Sequence, residues 1–161
     1  MGIEAAEPRP AAWAPGGRGD LPDVNVWLAR AIPEHPHHAA ARRYWEDVSA
    51  PQMCFCRVTM LALVRLLCQP KLMGRGVLDL AGAFGIYRRF AALPEVGFAA
   101  EPAGCEAALA NFLRGGLPAR LWPDAYLAAF AQAAGLRLVS FDADFDRFAG
   151  LNWLRLGAPG A

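Results

Sequence analysis

Three aspartates stand where carboxylates can act on one substrate: Asp23, Asp124 and Asp142. Asp23 ends an apolar run, Asp124 lies in the first turn of a predicted helix, and Asp142 follows a strand-like run. Carboxylates that share a partly buried pocket repel one another and need a proton, an arginine or a cation. Mg²⁺ and Mn²⁺ prefer oxygen ligands, and such a cation activates water and stabilises charge at a phosphoryl group. The residues therefore indicate phosphodiester hydrolysis.

Each aspartate also has a structural interpretation, which the sequence leaves open. Asp23 can cap a local turn together with Asn25. Asp124 can complement the positive end of its helix, and Asp142 can be an ordinary turn residue after a strand. The three positions become informative only if the fold brings them together.

The pattern of apolar residues predicts the elements that would do so. Short apolar runs alternate with longer segments of helical period, which is typical of a parallel sheet wrapped by helices. Strands are predicted over residues 21–28, 52–56, 96–99 and 136–141, with a short fifth strand over 153–156. Helices are predicted over residues 37–48, 57–68, 77–93, 105–113 and 122–134. Ligands of such a sheet bind beyond the carboxyl ends of the strands, where all three aspartates are expected.

Composition and charge describe one domain. The chain has 161 residues, of which 55% are hydrophobic, and its formal net charge of +1 gives no overall field that attracts a polyanion. Residues 1–19 are predicted to be a disordered extension, residues 20–157 the folded domain and residues 158–161 a tail. We expect a cytoplasmic protein without a membrane partner, because no apolar stretch approaches the ~20 residues of a membrane span and no signal peptide is recognisable.

Cysteine and histidine side chains suggest a second metal chemistry, which their spacing does not favour. Cys54 and Cys56 resemble half of a zinc site, but the other two cysteines do not supply a second pair at ligand spacing. Buried, reduced thiols are therefore predicted. The histidine cluster at residues 35–38 has no acid or cysteine at a helpful spacing, so we predict a helix-start or surface position for it.

Three motifs, in this order and at this spacing, resemble the PIN-domain ribonucleases and look most like VapC-type toxins of bacterial toxin–antitoxin pairs. The likeness covers residues 21–156. The motifs are Asp23-Val24-Asn25-Val26-Trp27-Leu28, Trp122-Pro123-Asp124-Ala125-Tyr126-Leu127-Ala128-Ala129 and Leu138-Val139-Ser140-Phe141-Asp142-Ala143-Asp144-Phe145.

The resemblance implies a Mg²⁺- or Mn²⁺-dependent endoribonuclease that a cognate antitoxin protein holds inactive. It implies an α/β fold, with a PIN-like parallel sheet of four or five strands flanked by helices on both faces. By this match Asp23, Asp124 and Asp142 are the catalytic and metal-binding acids. Asn25 and Ser140 fall at polar positions that support them.

Two positions depart from the family pattern. Ala62 stands where the family usually has a glutamate, and Pro123 stands where it often has threonine or serine. The missing glutamate leaves an alternative function open: a catalytically weak PIN-like module that binds RNA or a protein partner without cleavage.

Contacts to RNA and to protein partners are also expected. Arg57 and Arg120, with Trp122 close to Asp124 in the sequence, are candidate contacts to an RNA substrate. The apolar side chains of Val64, Leu66 and Leu67 are a candidate groove for an antitoxin helix, although core packing explains them as well. The resemblance further implies a homodimer formed through a helical face.

Overall fold

The structure, a computed structural model, describes residues 11–12 and 19–157. Its strands are β1 (Ala11–Ala12), β2 (Gly19–Pro22), β3 (Gln52–Phe55), β4 (Val96–Phe98), β5 (Arg137–Ser140) and β6 (Trp153–Arg155). They form one sheet in the order β1-β4-β3-β2-β5-β6, and every pair is parallel. The five longer strands, β2 to β6, confirm the predicted parallel sheet.

Helices cover both faces of this sheet. They are α1 (Val24–Ala31), α2 (His38–Arg43), α3 (Arg57–Leu67), α4 (Pro70–Met73), α5 (Leu80–Ala91), α6 (Cys105–Leu113) and α7 (Trp122–Ala134). One apolar core lies between the sheet and helices α1, α3 and α5, and a second lies between the sheet and helices α6 and α7. Successive strand residues point to opposite faces, so Met53 and Phe55 enter the first core and Cys54 enters the second.

The first predicted strand is wrong in its second half. The sequence predicts a strand over residues 21–28, but β2 ends at Pro22 and α1 begins at Val24. Asp23 begins the helix because its side chain accepts a hydrogen bond from the Val24 N–H at 2.7 Å. A short apolar run does not distinguish a strand from a buried helix, and the buried face of α1 is apolar in the same way.

Most other predicted elements are confirmed within a few residues, and their ends have local causes. The predicted helix 37–48 is α2 followed by a π-helical turn, Tyr44–Val48. The predicted helix 77–93 begins later, at Leu80, because the Asp79 side chain accepts a hydrogen bond from the Gly82 N–H at 2.7 Å. Helix α7 ends at Gly135, whose positive φ of 67° suits glycine.

The two predicted terminal segments lie largely outside the described residues, which leave out 1–10, 13–18 and 158–161. Within the predicted extension, Ala11 and Ala12 form β1 and pair with Gly97 and Phe98. β1 is therefore the edge strand of the sheet, and it covers the side of β4 that would otherwise present unpaired backbone groups. No described helix is long and apolar enough to cross a bilayer.

Candidate active site

The centre of the sheet places Asp23 and Asp142 at the ends of neighbouring strands. Strand β2 pairs with β5, and the Asp23 N–H extends this ladder by donating to the Val139 carbonyl at 2.8 Å. Strands β3 and β4 continue to one side of this pair and β6 to the other. The order of strands therefore reverses between β2 and β5, which is where open α/β sheets bind ligands at their carboxyl edge.

A single hydroxyl group organises the polar residues at this edge. The buried Ser140 Oγ donates to Asp23 Oδ2 at 2.8 Å. It accepts from Asn25 Nδ2 at 3.0 Å and from the Asp142 N–H at 3.0 Å. These three bonds use the one O–H donor and both lone pairs of the serine hydroxyl. The Asp23 carboxylate is therefore held in one orientation.

Helix α7 brings Asp124 to the same edge of the sheet. Asp124 lies in its first turn, directly after Pro123, which is accommodated because the first helical N–H groups need no intrahelical partner. Asp23 and Asp124 line one pocket, and Ala62 of α3 lines its wall. The position where the family usually has a glutamate therefore faces this pocket.

Burial and like charge raise the pKa values of two of these carboxyl groups. Burial raises the pKa of Asp23, hydrogen bonds from Ser140 and Val24 lower it in part, and the charge of Asp142 raises it further. Burial, reinforced by the charges of Asp23 and Asp142, raises the pKa of Asp124 to about 6. Both groups are therefore destabilised as anions, a state that a cation relieves.

Asp142 is more exposed than Asp23 and Asp124. Asp142 is exposed, its Oδ1 accepts from the Asp144 N–H at 2.8 Å, and it does not line the pocket of Asp23 and Asp124. Among the described residues, no three acidic, histidine or cysteine side chains are arranged to bind one ion. The three aspartates thus share one edge of the sheet, with Asp142 on its exposed side. Mg²⁺ needs only one or two carboxylates with its waters, so Asp23 and Asp124 fit such an ion.

The other residues singled out in the sequence lie as follows. The Arg120 Nη1 donates to Asp144 at 2.6 Å, and the Arg57 guanidinium lies over the Phe98 ring at 4.8 Å. Trp122 is 55% exposed. Helix α2 begins within the histidine cluster, as predicted, and three of the four cysteines are buried, none in a disulfide.

The predicted partner groove is only partly made of the residues expected. Val64 lines an apolar groove between α3 and α5, whereas Leu66 lines the acidic pocket and Leu67 is buried in the core. The apolar lining of the groove also includes Leu61 of α3 and Leu80 and Phe84 of α5, which are 58%, 70% and 45% exposed.

A buried ion pair at the opposite edge of the sheet was not predicted. Asp20 has no exposed surface, and both its oxygens accept from Arg137 at 2.8 Å. Tyr44 and the Ala50 N–H donate to the same carboxylate at 2.7 and 2.9 Å. The pairing of β2 with β5 places Asp20 opposite Arg137, and this long-range register leaves no local signal in the sequence.

Comparison with known proteins identifies relatives of the whole domain. Residues 21–151 match the family model described as the PIN domain. The chain is 39% identical over 142 residues to Ribonuclease VapC41 of Mycobacterium tuberculosis, which covers 84% of this chain and 97% of that protein. It is 26% identical over 136 residues to Ribonuclease VapC33 of the same species, covering 83% and 94% of the two chains.

Solved structures show the same fold. The crystal structure of M. tuberculosis VapC20, a Sarcin-Ricin loop cleaving toxin, superposes with a TM-score of 0.63 at 22% identity, covering 85% of this chain and 99% of that one. DNA-bound VapBC from Salmonella typhimurium superposes with a TM-score of 0.58 at 19% identity, covering 86% and 98%.

The parallel sheet flanked by helices and the matched family model together define the class of this protein. The chain belongs to the PIN-domain family, among its VapC-type ribonucleases.

Proposed function

We propose that this protein is a metal-dependent endoribonuclease that acts as the toxin of a toxin–antitoxin pair. The observation that carries the proposal is the pocket shared by Asp23 and Asp124, two carboxylates whose pKa values burial raises. Such a pair binds a hard divalent cation in preference to remaining as repelling anions. The 39% identity to a protein named as a ribonuclease supports RNA as the substrate.

Each residue of the centre has a role in this proposal. Asp23 and Asp124 hold Mg²⁺ or Mn²⁺, and Asp142 adds a third carboxylate at the open side of the site. Ser140 orients Asp23 through its hydroxyl group, and Asn25 supports that hydroxyl by donating a hydrogen bond to it. When bound, the cation supplies an activated water and stabilises charge at the phosphoryl group. Oxygen ligands alone suit these two ions better than zinc.

The test is RNA cleavage by purified protein with Mg²⁺, with Mn²⁺ and with EDTA. We expect cleavage that EDTA abolishes, and a loss of at least ~100-fold in Asp23→Asn and in Asp124→Asn, because each variant removes a charged ligand. Asp146→Asn, an exposed aspartate after the same strand, is the matched control and keeps its activity. Cleavage that survives both ligand substitutions would contradict the site.

A second function is favoured by one observation. Ala62 lines the pocket of Asp23 and Asp124, so the carboxylate that the family usually adds there is missing from the site itself. A protein that retains RNA without cutting it in either metal is the alternative, a PIN-like binding module. Ala62→Glu discriminates between them, since restoring the acid raises activity if metal affinity limits cleavage and does nothing if the module only binds.

The proposal includes two protein partners, a cognate antitoxin and a second copy of this chain, in the cytoplasm. The apolar groove between α3 and α5 offers a surface for one of them, with Leu61 58% and Leu80 70% exposed. Apolar side chains of this size gain free energy when a partner covers them.

Leu80→Glu tests both partners in one pair of measurements. Light scattering gives the mass of the toxin alone, and calorimetry gives its affinity for the antitoxin. Loss of the dimer with antitoxin binding intact assigns the groove to self-association, and the reverse assigns it to the antitoxin. If neither measurement changes, the groove binds no partner.

A further inference from the structure

A cluster of two arginines around one aspartate adjoins the acidic centre, the group formed by Asp23, Asp124 and Asp142. Arg120 Nη1 donates to Asp144 Oδ2 at 2.6 Å, and Arg147 Nε donates to Asp144 Oδ1 at 3.1 Å. The Asp144 N–H in turn donates to Asp142 Oδ1 at 2.8 Å. Asp144 therefore connects two cations to an acid of the centre.

The ion pair between Arg120 and Asp144 joins the two chain segments that carry the site. Arg120 lies in the 3-10 turn Ala119–Leu121, which leads directly into α7 and Asp124. Asp144 lies in the 3-10 turn Ala143–Arg147, directly after Asp142. The pair thus sets the position of the Arg120 guanidinium relative to both acids.

The charge of Arg120 acts on the centre itself. The charges of Asp142 and Asp124 both raise the pKa of Arg120, after the larger effect of its bond to Asp144. The Arg120 side chain is 60% exposed, so guanidinium donors remain available to a ligand. Stability does not explain this arrangement, because an ion pair between exposed side chains contributes little to the free energy of unfolding.

Asp144 is not a further metal-binding acid. Each of its two oxygens accepts from an arginine, from Arg120 at 2.6 Å and from Arg147 at 3.1 Å. Its charge is therefore neutralised by the protein, unlike the charges of Asp23 and Asp124.

We propose that Asp144 is a positioning residue, which holds Arg120 beside the acidic centre so that its guanidinium binds a phosphate of the RNA next to the one that is cleaved. This inference rests on the proposed ribonuclease function. An acidic centre repels RNA, and a fixed arginine offsets that repulsion and orients the phosphate through paired N–H donors. Arg147 supports Asp144 from its other oxygen.

The first test separates positioning from charge by measuring kcat and KM. Asp144→Asn removes a negative charge, which favours RNA binding, yet releases Arg120. We expect kcat to fall roughly 10- to 100-fold with KM unchanged or lower, because misplaced groups lose rate without losing affinity. Arg120→Lys keeps the positive charge but loses the planar guanidinium with its paired N–H donors, so it shows the same loss of kcat.

The control for the first test is Asp146→Asn, which removes an exposed charge from the same turn and leaves kcat unchanged. Thermal unfolding followed by circular dichroism verifies that all variants fold. An Asp144→Asn variant with the kcat of the natural protein would show that Asp144 positions nothing.

The second test measures RNA binding in EDTA as a function of salt, where nothing is cleaved. Arg120→Ala should reduce the slope of log K against log salt by about 0.7, the value for one phosphate contact on a single strand. Arg114→Ala, an exposed arginine at the end of α6, keeps the slope. Equal slopes for Arg120→Ala and the natural protein would overturn the inference. A natural protein that cuts no RNA contradicts the proposed function instead, and the salt slope still decides whether Arg120 binds phosphate.

Discussion

Strand β2 carries an aspartate near each end, and the two have opposite environments. Asp20, at the amino edge, is fully buried and accepts from Arg137, Tyr44 and a backbone N–H. Asp23, just beyond the carboxyl edge, accepts from the Ser140 hydroxyl and a backbone N–H, and no cationic side chain of the described residues pairs with it. One carboxylate is neutralised by the protein, and the other is left for a ligand.

The difference follows from the polarity of a parallel sheet. At the carboxyl edge the chain turns into helices, whose first N–H groups face carboxylates such as Asp23. At the amino edge the strand register sets Asp20 directly opposite Arg137. The amino edge therefore contributes to stability, whereas the carboxyl edge holds repelling charges that cost stability and create affinity for a cation.

The largest expected effect is at the amino edge. Asp20→Ala leaves the buried Tyr44 hydroxyl and the partly exposed Arg137 without this acceptor, so we expect a loss of roughly 2–4 kcal/mol in the free energy of unfolding. Urea unfolding measures it, and Asp79→Ala, which removes only an exposed helix cap, should cost about 1 kcal/mol. Activity per folded molecule stays intact at low temperature, which separates this edge from the site.

The double variant Asp20→Leu with Arg137→Met sharpens the same point. Replacing both members of a buried ion pair by apolar residues often restores stability, so the double variant should be more stable than Asp20→Ala. A loss after Asp20→Ala no greater than that after Asp79→Ala would show that the buried pair is unimportant to stability.

A smaller effect is expected when the Ser140 hydroxyl at the carboxyl edge is removed. Ser140→Ala removes the donor to Asp23 and the acceptor for Asn25 and the Asp142 N–H. Loss of a group that orients a metal ligand typically costs about 10- to 100-fold in metal affinity or activity. Mn²⁺ affinity measured by calorimetry tests this. Ser49→Ala, which removes a hydroxyl bonded to the Trp45 carbonyl, is the control that keeps metal affinity.

The smallest effect is a gain of stability. Burial raises the pKa of Asp124 to about 6, above its unfolded value, so the folded protein binds this proton more tightly. Its contribution therefore favours folding at low pH and is lost as pH rises through about 6. In EDTA we expect Asp124→Asn to raise Tm by roughly 2–4 °C above pH 7, corresponding to about 1 kcal/mol.

This gain should disappear below about pH 3, where Asp124 is protonated in both states of the natural protein. Differential scanning calorimetry at several pH values follows it, with Asp146→Asn as the exposed control. A variant less stable than the natural protein at neutral pH would mean that the Asp124 carboxylate is stabilised by its surroundings.

Local pattern accounts for what could be predicted of the fold. The strand at residues 52–56 and the helix at residues 122–134 were found because burial demands apolar side chains and because Pro123 and Gly135 mark helix ends. The helix that begins at Val24 is not predicted, because a short apolar run is equally typical of a strand and of the buried face of a helix. The acid positions were recognisable as strand ends and a helix start, but their mutual distances were not.

Residue type and neighbours along the chain are enough to predict the alternation of strands and helices, the family and the three acids. The fold alone decided that Asp23 and Asp124 share a pocket with Asp142 on the exposed side, and that Asp144 is neutralised by Arg120 and Arg147. It also decided that Asp20 is neutralised and Asp23 is not. The physical reason is that charge, desolvation and pairing depend on distances in space, which strand order and register set across more than a hundred residues.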